Sequence, residues 1–301
     1  MDDTNPPPAP TPVCYRHSDR ATRLSCSECG RPICADCSHD SAVGQRCQEC
    51  SRPQGRHKVV DARRTTGAMA GLTHAPVNQA ILGITIAVFV VGTINVDVQD
   101  WLIRNLSAWN LGRDQGSLVG IATGQWWRLV SSAVLHDFGF IFHIGFNMYF
   151  LYMLGPALER QVGSAPFAAL YVATAATGGL AAYYLGDPGT LSIGASGAIF
   201  GIVAVWVYAA YRSGHRGARM MANQQMMWLI GIGIVFPFLA SGLNISWQGH
   251  LGGMLGGLAI GWAWGQTAPR SDNPKLVRTV IALAVLAASV AAVLVVDPSW
   301  L

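Results

Sequence analysis

The chain has 301 residues, of which 51% are hydrophobic and only 12% are charged. Soluble domains carry about 25% charged residues, so this composition excludes an ordinary soluble protein and predicts that most of the chain lies in a membrane. The formal net charge of +4 is too small to indicate nucleic-acid binding.

The N-terminal quarter differs from the rest because it contains all seven cysteines. Residues 1–13 are rich in proline and polar side chains, which predicts a disordered leader. They lack the basic start and apolar core of a signal peptide. Residues 14–50 form a cysteine-rich module, and residues 51–76 contain several arginines and predict a basic linker to the first membrane segment.

The cysteine-rich module contains four ligand pairs, each separated by two residues. The pairs are Cys14 and His17, Cys26 and Cys29, Cys34 and Cys37, and Cys47 and Cys50. Eight ligands suffice for two tetrahedral sites, which predicts two structural Zn2+ ions. Disulfides are the alternative, but seven cysteines cannot all pair and thiols stay reduced in the cytoplasm. Because the module is too small to fold on its own core, metal binding would supply its folding energy.

The pairing of these ligands is open from the spacing alone. Short loops between consecutive pairs favour an interleaved arrangement, and the module resembles B-box and RING-type zinc modules. By that resemblance one ion is held by Cys14, His17, Cys34 and Cys37, and the other by Cys26, Cys29, Cys47 and Cys50. Sequential pairing remains an alternative, as does replacement of a neighbouring ligand by His39.

Seven apolar segments follow, each close to the roughly 20 residues that cross a bilayer as a helix. They are residues 77–96, 140–158, 166–185, 193–211, 226–243, 247–266 and 276–296. The fifth and sixth segments leave room only for a tight turn. Residues 97–139 hold several tryptophans among polar residues, which predicts a loop in the membrane interface. The fold class is therefore an all-α polytopic membrane protein.

Orientation follows from the basic residues of the loops. With the N-terminus inside, the cytoplasmic loops carry more Lys and Arg than the outer loops. The positive-inside rule then predicts seven crossings of the cell membrane, a cytoplasmic N-terminus and an external C-terminus.

Two polar residues lie where hydrocarbon is expected, Ser196 in the fourth segment and His250 in the sixth. An ionisable residue inside a span is costly and indicates a functional site with a partner. A serine and a histidine on two closely packed helices can form a nucleophile and its general base. The alternatives are helix packing for the Gly-x-Ser-Gly run, and a proton relay or cofactor ligand for a lone histidine.

Three further residues are candidates for the same site. His143 and Asn147 are four residues apart, so both lie on one face of the second segment. They form either an interhelical hydrogen bond or a pair of donors for the oxyanion of a tetrahedral intermediate. Phe200 lies four residues after Ser196, on the same helix face, where it can stack on the His250 ring.

At these residues the chain resembles the rhomboid family of intramembrane serine proteases. The matching motifs are Trp127-Arg128, His143-x3-Asn147, Gly194-x-Ser196-Gly197 and His250-x2-Gly253-x3-Gly257, in that order. The resemblance implies a six-helix bundle over residues 77–266, with a membrane-embedded loop after the first helix and a water-filled cavity open to the outside. The seventh helix, within residues 267–301, and the zinc module are additions to that core.

The resemblance also implies the roles of the site residues. Ser196 is the nucleophile and His250 the base, in a dyad without a carboxylate. His143, Asn147 and the Ser196 backbone N–H form the oxyanion site. Phe200 stands where many relatives carry tyrosine, and Arg128 is expected to anchor the first loop.

The expected function is therefore that of an intramembrane serine endopeptidase, which cleaves transmembrane segments in the lipid bilayer without a catalytic cofactor. A catalytically idle relative that binds or escorts membrane proteins is the alternative, but it would be expected to have lost Ser196 or His250. A transporter with His143 and His250 as proton carriers would need inverted repeats and further intramembrane acids, and the sequence shows neither. The zinc module is expected to bind a cytoplasmic partner of unknown identity.

Overall fold

The computed structural model describes residues 11–41, 44–51, 75–235 and 245–295. The chain divides into two compact units, Met1–Thr65 and Thr66–Leu301. Most of the sequence assigned to the leader and almost all of that assigned to the linker lie outside the described residues.

The N-terminal unit is small and built around its cysteines. Its elements are a 3-10 helix Ala35–Cys37, strands β1 (Ser38–Asp40) and β2 (Gln45–Cys47), and helix α1 (Gln48–Ser51). The two strands pair antiparallel. The buried core consists of Ile33 and five cysteines. Val13 forms a β-bridge with Ala21, so the end of the predicted leader is an ordered part of this unit.

The second unit is helical. Its helices are α2 (Pro76–Ile94), α3 (Val96–Leu106), α4 (Arg128–Ser131), α5 (Ile141–Val162), α6 (Ser164–Leu185), α7 (Ser196–Ser213), α8 (Arg216–Ile230), α9 (Trp247–Thr267) and α10 (Pro274–Val295). Among the described residues, α2, α5, α6 and α10 are long and apolar enough to cross a membrane. The predicted all-α, multi-pass class is confirmed.

The fifth predicted segment begins earlier than expected. Helix α8 starts at Arg216 rather than near residue 226, and a π-helix, Gly231–Val235, continues it. The first turns of α8 are rich in Arg, Asn and Gln, which are compatible with a helix but lower the hydropathy from which the segment was predicted. Gly214, with φ of +76°, ends α7 as a left-handed cap. Residues 236–244, which hold the end of the fifth predicted segment and the first residue of the predicted tight turn, lie outside the described residues.

Residues 97–139, all of which are described, hold no helix long and apolar enough to cross a membrane, but this first loop has more structure than its sequence suggested. It contains α3, the hairpin of β4 (Gly112–Asp114) and β5 (Ser117–Val119), and α4. Strand β3 (Ala108–Trp109) pairs with β6 (Leu191–Ser192), which leads directly into α7. The loop is therefore joined by backbone hydrogen bonds to the segment that precedes Ser196.

Arg128 holds this loop together, as expected. Its side chain is 2% exposed, and its guanidinium donates to the carbonyl oxygens of Ser107 at 2.9 Å and Arg104 at 2.5 Å. It also donates to Gln125 Oε1 at 2.6 Å. A buried guanidinium with several acceptors fixes the ends of α3 and α4 against each other.

Helices α7 and α9 meet backbone to backbone. A Cβ atom added to Gly253 would lie 2.0 Å from the carbonyl oxygen of Gly197, and one added to Gly257 would lie 2.3 Å from that of Gly201. Only glycine permits this approach, which is typical of membrane helix interfaces. The contact places the start of α7 beside the start of α9.

The buried carboxylate of Glu159, near the end of α5, caps another helix. Its oxygens accept the backbone N–H groups of Val77 and Asn78 at 3.1 and 2.8 Å and the Ser164 hydroxyl at 2.6 Å. A negative charge at the N-terminus of α2 satisfies donors that have no partner within the helix. Glu159 therefore acts in the packing of α2, α5 and α6.

Helix α10 packs on the bundle through apolar contacts and two backbone acceptors. The Tyr184 hydroxyl donates to the carbonyl of Ala292 at 2.9 Å, and the Trp264 indole N–H donates to that of Arg278 at 2.9 Å. These bonds fix α10, the seventh predicted apolar segment, to α6 and α9.

Candidate active site and metal clusters

The hydroxyl of Ser196 and the imidazole of His250 are in direct contact. Ser196 Oγ lies 2.7 Å from His250 Nε2, a normal hydrogen-bond distance. Ser196 is the first residue of α7, and His250 lies in the first turn of α9 with 6% of its surface exposed. The structure therefore brings together the two residues that the sequence suggested as nucleophile and base.

Phe200 lies against the face of the His250 ring. The two ring centroids are 4.5 Å apart and the planes differ by 4°. Since Phe200 is one helical turn after Ser196, the same helix supplies both the hydroxyl and the surface on which the imidazole stacks. The stacking on Phe200 restricts rotation of the imidazole ring away from the orientation in which it contacts Ser196.

His143 faces the residues that lead into α7. A Cβ on Gly194 would lie 2.8 Å from His143 Nε2 and 3.6 Å from Ser196 Oγ, and Gly194 has φ of +128°. The Asp137 N–H donates to His143 Nδ1 at 3.3 Å. A neutral imidazole that accepts at Nδ1 carries its hydrogen on Nε2, so this ring presents a donor beside Ser196.

Asn147 is buried on the same side of α5, with 6% of its surface exposed. Its amide nitrogen donates to the carbonyl of His143 at 2.8 Å, one turn earlier. That bond uses one of the two amide N–H groups. The structure thus places Asn147 next to His143.

A cavity of about 40 Å³ opens at this site. Ser196 and His250 lie on it, with small residues of α6 such as Ala175, Gly178 and Ala182 forming another wall. A water molecule needs about 10–15 Å³ of such volume beside polar partners. The site therefore has room for water within reach of the serine and the histidine.

Two contacts of the site were not expected from the sequence. His250 Nδ1 lies 2.6 Å from the carbonyl oxygen of Gly233, in the π-helix. A glycine carbonyl carries no side-chain signal, so no pattern in the sequence marks it.

His136 is the second unexpected residue. It is fully buried, its ring centroid lies 5.0 Å from that of His143, and the Ala195 N–H contacts its Nε2 at 3.5 Å. Burial, with His143 nearby, lowers the pKa of His136 to about 3, so the ring is neutral. The signal that marks it is a lone histidine after the apolar run Ala133–Leu135, seven positions before His143.

The N-terminal unit contains two clusters of possible metal ligands. One comprises Cys14, His17, Cys34 and Cys37, and the other Cys26, Cys29, Cys47 and Cys50. Within each cluster the ligand atoms all lie within 4.8 Å of one another. This is the interleaved grouping, and exposed His39 belongs to neither cluster.

The clusters fit a tetrahedral metal ion. A Zn–S bond of about 2.3 Å gives a tetrahedron whose edge is about 3.8 Å, and the sulfur atoms of Cys29 and Cys47 lie 3.8 Å apart. Backbone N–H groups of Cys29 and Cys47 lower the pKa of Cys26 to about 6, which favours the thiolate that binds metal.

Comparison with known proteins places the membrane unit in a family. A model of the Rhomboid domain matches residues 123–267, a range that excludes the N-terminal module and α10. The chain is 35% identical over 173 residues to "Rhomboid protease GluP" of Bacillus subtilis, covering 58% of this chain and 32% of that protein.

Two further relatives give the same result. "Putative rhomboid protease YdcA" of Bacillus subtilis is 33% identical over 165 residues, which cover 53% of this chain and 80% of that protein. "Rhomboid-like protease 1" of Toxoplasma gondii is 32% identical over 157 residues, 51% of this chain and 52% of that protein. The chain therefore spans less than two thirds of GluP and of the Toxoplasma protein, but most of YdcA. With its apolar helices and the arrangement of α5, α7 and α9, the chain belongs to the rhomboid family.

Proposed function

We propose that this protein is an intramembrane serine endopeptidase, in which Ser196 is the nucleophile and His250 the general base. The observation that carries the proposal is the 2.7 Å contact between Ser196 Oγ and His250 Nε2. A serine hydroxyl is a weak nucleophile until an adjacent base accepts its proton. The relatives named as rhomboid proteases support the same reaction.

The reaction follows from these contacts. His250 Nε2 takes the Ser196 proton while Oγ attacks the scissile carbonyl carbon. The tetrahedral intermediate then collapses, the peptide C–N bond breaks, and His250 returns the proton to the leaving amine. Water from the cavity, with His250 again as base, hydrolyses the acyl-enzyme and restores the Ser196 hydroxyl.

The negative charge of the intermediate needs donors beside Ser196. The Nε2–H of His143 and the amide of Asn147 approach from α5, and the Ser196 N–H lies at the N-terminus of α7. The first N–H groups of an α-helix have no acceptor within the helix, and the helix dipole favours an anion there. Preorganised donors of this kind stabilise the oxyanion more than they stabilise the substrate carbonyl.

The substrates are proposed to be transmembrane segments of other proteins. Helix-breaking residues would let such a segment unwind near the outer face, where its peptide bond reaches Ser196. The first loop, residues 97–139, and the fifth span would border the path by which it enters from the bilayer. The basic loops support a protein of the cell membrane with a cytoplasmic N-terminus and an external C-terminus.

The N-terminal clusters are proposed to hold two structural Zn2+ ions. Cys14, His17, Cys34 and Cys37 would bind one and Cys26, Cys29, Cys47 and Cys50 the other. The ions would supply the folding energy of a unit whose buried core, among its described residues, consists of Ile33 and five cysteines. The folded module would then bind a cytoplasmic partner.

The test is cleavage of a single-span substrate by the full chain reconstituted in liposomes. Wild-type protein is expected to cleave it, and a Ser196→Ala variant with the same thermal unfolding is expected to lose activity by about 10⁴-fold or more. Substrate that binds both proteins equally but is cleaved by neither would instead support the escort function. Equal cleavage by both proteins would exclude Ser196 as the nucleophile.

A further inference from the structure

The His250 ring has two nitrogens, and the proposed reaction uses only one of them. Nε2 contacts Ser196 Oγ at 2.7 Å. Nδ1 lies 2.6 Å from the carbonyl oxygen of Gly233. In a serine protease with a triad, a buried carboxylate occupies this second position and fixes the tautomer of the histidine. No aspartate or glutamate in the described residues contacts His250.

The carbonyl of Gly233 is sufficient to fix the tautomer. A carbonyl oxygen can only accept a hydrogen bond, so His250 Nδ1 must carry the hydrogen. In a neutral imidazole Nε2 is then the acceptor, and the Ser196 hydroxyl must donate to it. This is the protonation pattern that a general base requires.

We propose that the backbone carbonyl of Gly233 is the third member of the catalytic unit, a positioning group that holds His250 as the base for Ser196. The inference rests on the proposed function, since it assigns a role within the same site. When Nε2 accepts the serine proton, the imidazolium keeps its Nδ1–H bond, and the oxygen end of the carbonyl dipole faces the new positive charge.

The local backbone explains why this carbonyl is available. Gly233 lies at the centre of the π-helix Gly231–Val235, which follows the regular helix α8. Short π segments occur frequently at functional sites because they displace carbonyls from the regular four-residue ladder. Here the wider turn of the π-helix brings the Gly233 carbonyl to the edge of the His250 ring on α9.

The space around residue 233 also requires that this residue is glycine. A Cβ on residue 233 would lie 2.7 Å from His250 Nδ1 and 2.6 Å from Phe200 Cζ. Both distances are too short for a methyl group, so a side chain would displace the imidazole from the carbonyl. Gly231, two residues earlier in the same π-helix, has no atom within 4 Å of such a Cβ.

These two glycines provide a matched pair of variants. Gly233→Ala should lower kcat by about 10²-fold or more, because a shift of about 1 Å in a reacting group has that effect. KM should stay within about threefold, because the contact lies on the base and not on the substrate. Gly231→Ala should resemble the wild type in both constants. If Gly233→Ala cleaves like Gly231→Ala, Gly233 has no positioning role.

The tautomer is tested directly on the unmodified protein. In the full chain labelled with 15N-histidine, long-range 1H–15N spectra distinguish protonated from unprotonated ring nitrogens, and the His250 signals are those that a His250→Asn variant lacks. Protonated Nδ1 and bare Nε2 are expected in the wild type and in Ser196→Ala. A neutral His250 protonated on Nε2 would overturn the inference even if Gly233→Ala failed to fold. Full activity in Ser196→Ala would instead refute the proposed function, so the two failures are distinguishable.

Discussion

The contact between Ser196 and His250 depends on how closely α7 and α9 approach, and a single methyl group tests this dependence. Gly253 lies one turn after His250, and its added Cβ would be 2.0 Å from the carbonyl oxygen of Gly197. The atoms it meets are backbone, so no side chain can rotate away. Protein Cβ atoms stay about 3.0 Å or more from such atoms, so Gly253→Ala requires the helices to separate locally by about 1 Å.

That separation is enough to break the contact between Ser196 and His250. The distance from Ser196 Oγ to His250 Nε2 would increase from 2.7 Å towards about 3.7 Å, beyond the usual limit of about 3.2 Å for a hydrogen bond. We expect kcat to fall by about 10²-fold. The overpacked interface should also lower the free energy of unfolding by about 1–3 kcal/mol.

The assay is cleavage of a single-span substrate in liposomes at a temperature where the variant remains folded by thermal unfolding. Gly145→Ala is the control, because a Cβ at that position in α5 meets no atom within 4 Å. The argument fails if folded Gly253→Ala cleaves at the same rate as Gly145→Ala.

Four further outcomes are expected. Ser196→Ala, His250→Ala and the double variant should lose activity to a similar extent, because nucleophile and base act as a unit; a double variant far below both singles would contradict this. Turnover in the His143→Ala, Asn147→Ala double variant should fall by about 10²–10³-fold, and each single change should lower it less, because three donors share one oxygen. Unchanged turnover in the double variant would show that these two residues only pack. Freshly purified, reduced protein should contain two Zn2+ per chain by elemental analysis, and a metal content near zero would refute this. Removal of residues 1–55 should leave cleavage in detergent largely intact, which a folded truncation that cannot cleave would refute.

The sequence predicted most of the helices because long apolar runs have few alternatives to a membrane span. The second and third segments match α5 and α6 closely at their starts, and the run of residues 276–296 matches α10. The fifth segment was misplaced at its start because the polar turns of α8 are helical without being hydrophobic. Hydropathy reports where a helix contacts lipid rather than where its hydrogen bonds begin.

The polar residues of the site were predictable because polar atoms inside hydrocarbon need partners. Ser196, His250, His143 and Asn147 each interrupt an apolar segment, and the structure brings them to one end of α5, α7 and α9. The Gly233 carbonyl was not predictable, since any residue has one and its position depends on a π-helix. The helix α3 was also missed, because a short amphipathic helix after a span is hard to distinguish from an irregular polar loop.

The most direct measurement of the central claim is where a serine-directed fluorophosphonate attaches to the active protein. Its phosphorus reacts much faster with a serine hydroxyl that a base activates than with an ordinary serine, as in the acylation step. Mass spectrometry of the labelled full chain should place one adduct on Ser196, with no adduct in Ser196→Ala and much slower labelling in His250→Ala. An adduct on another serine, or equal labelling of wild type and His250→Ala, would contradict the dyad.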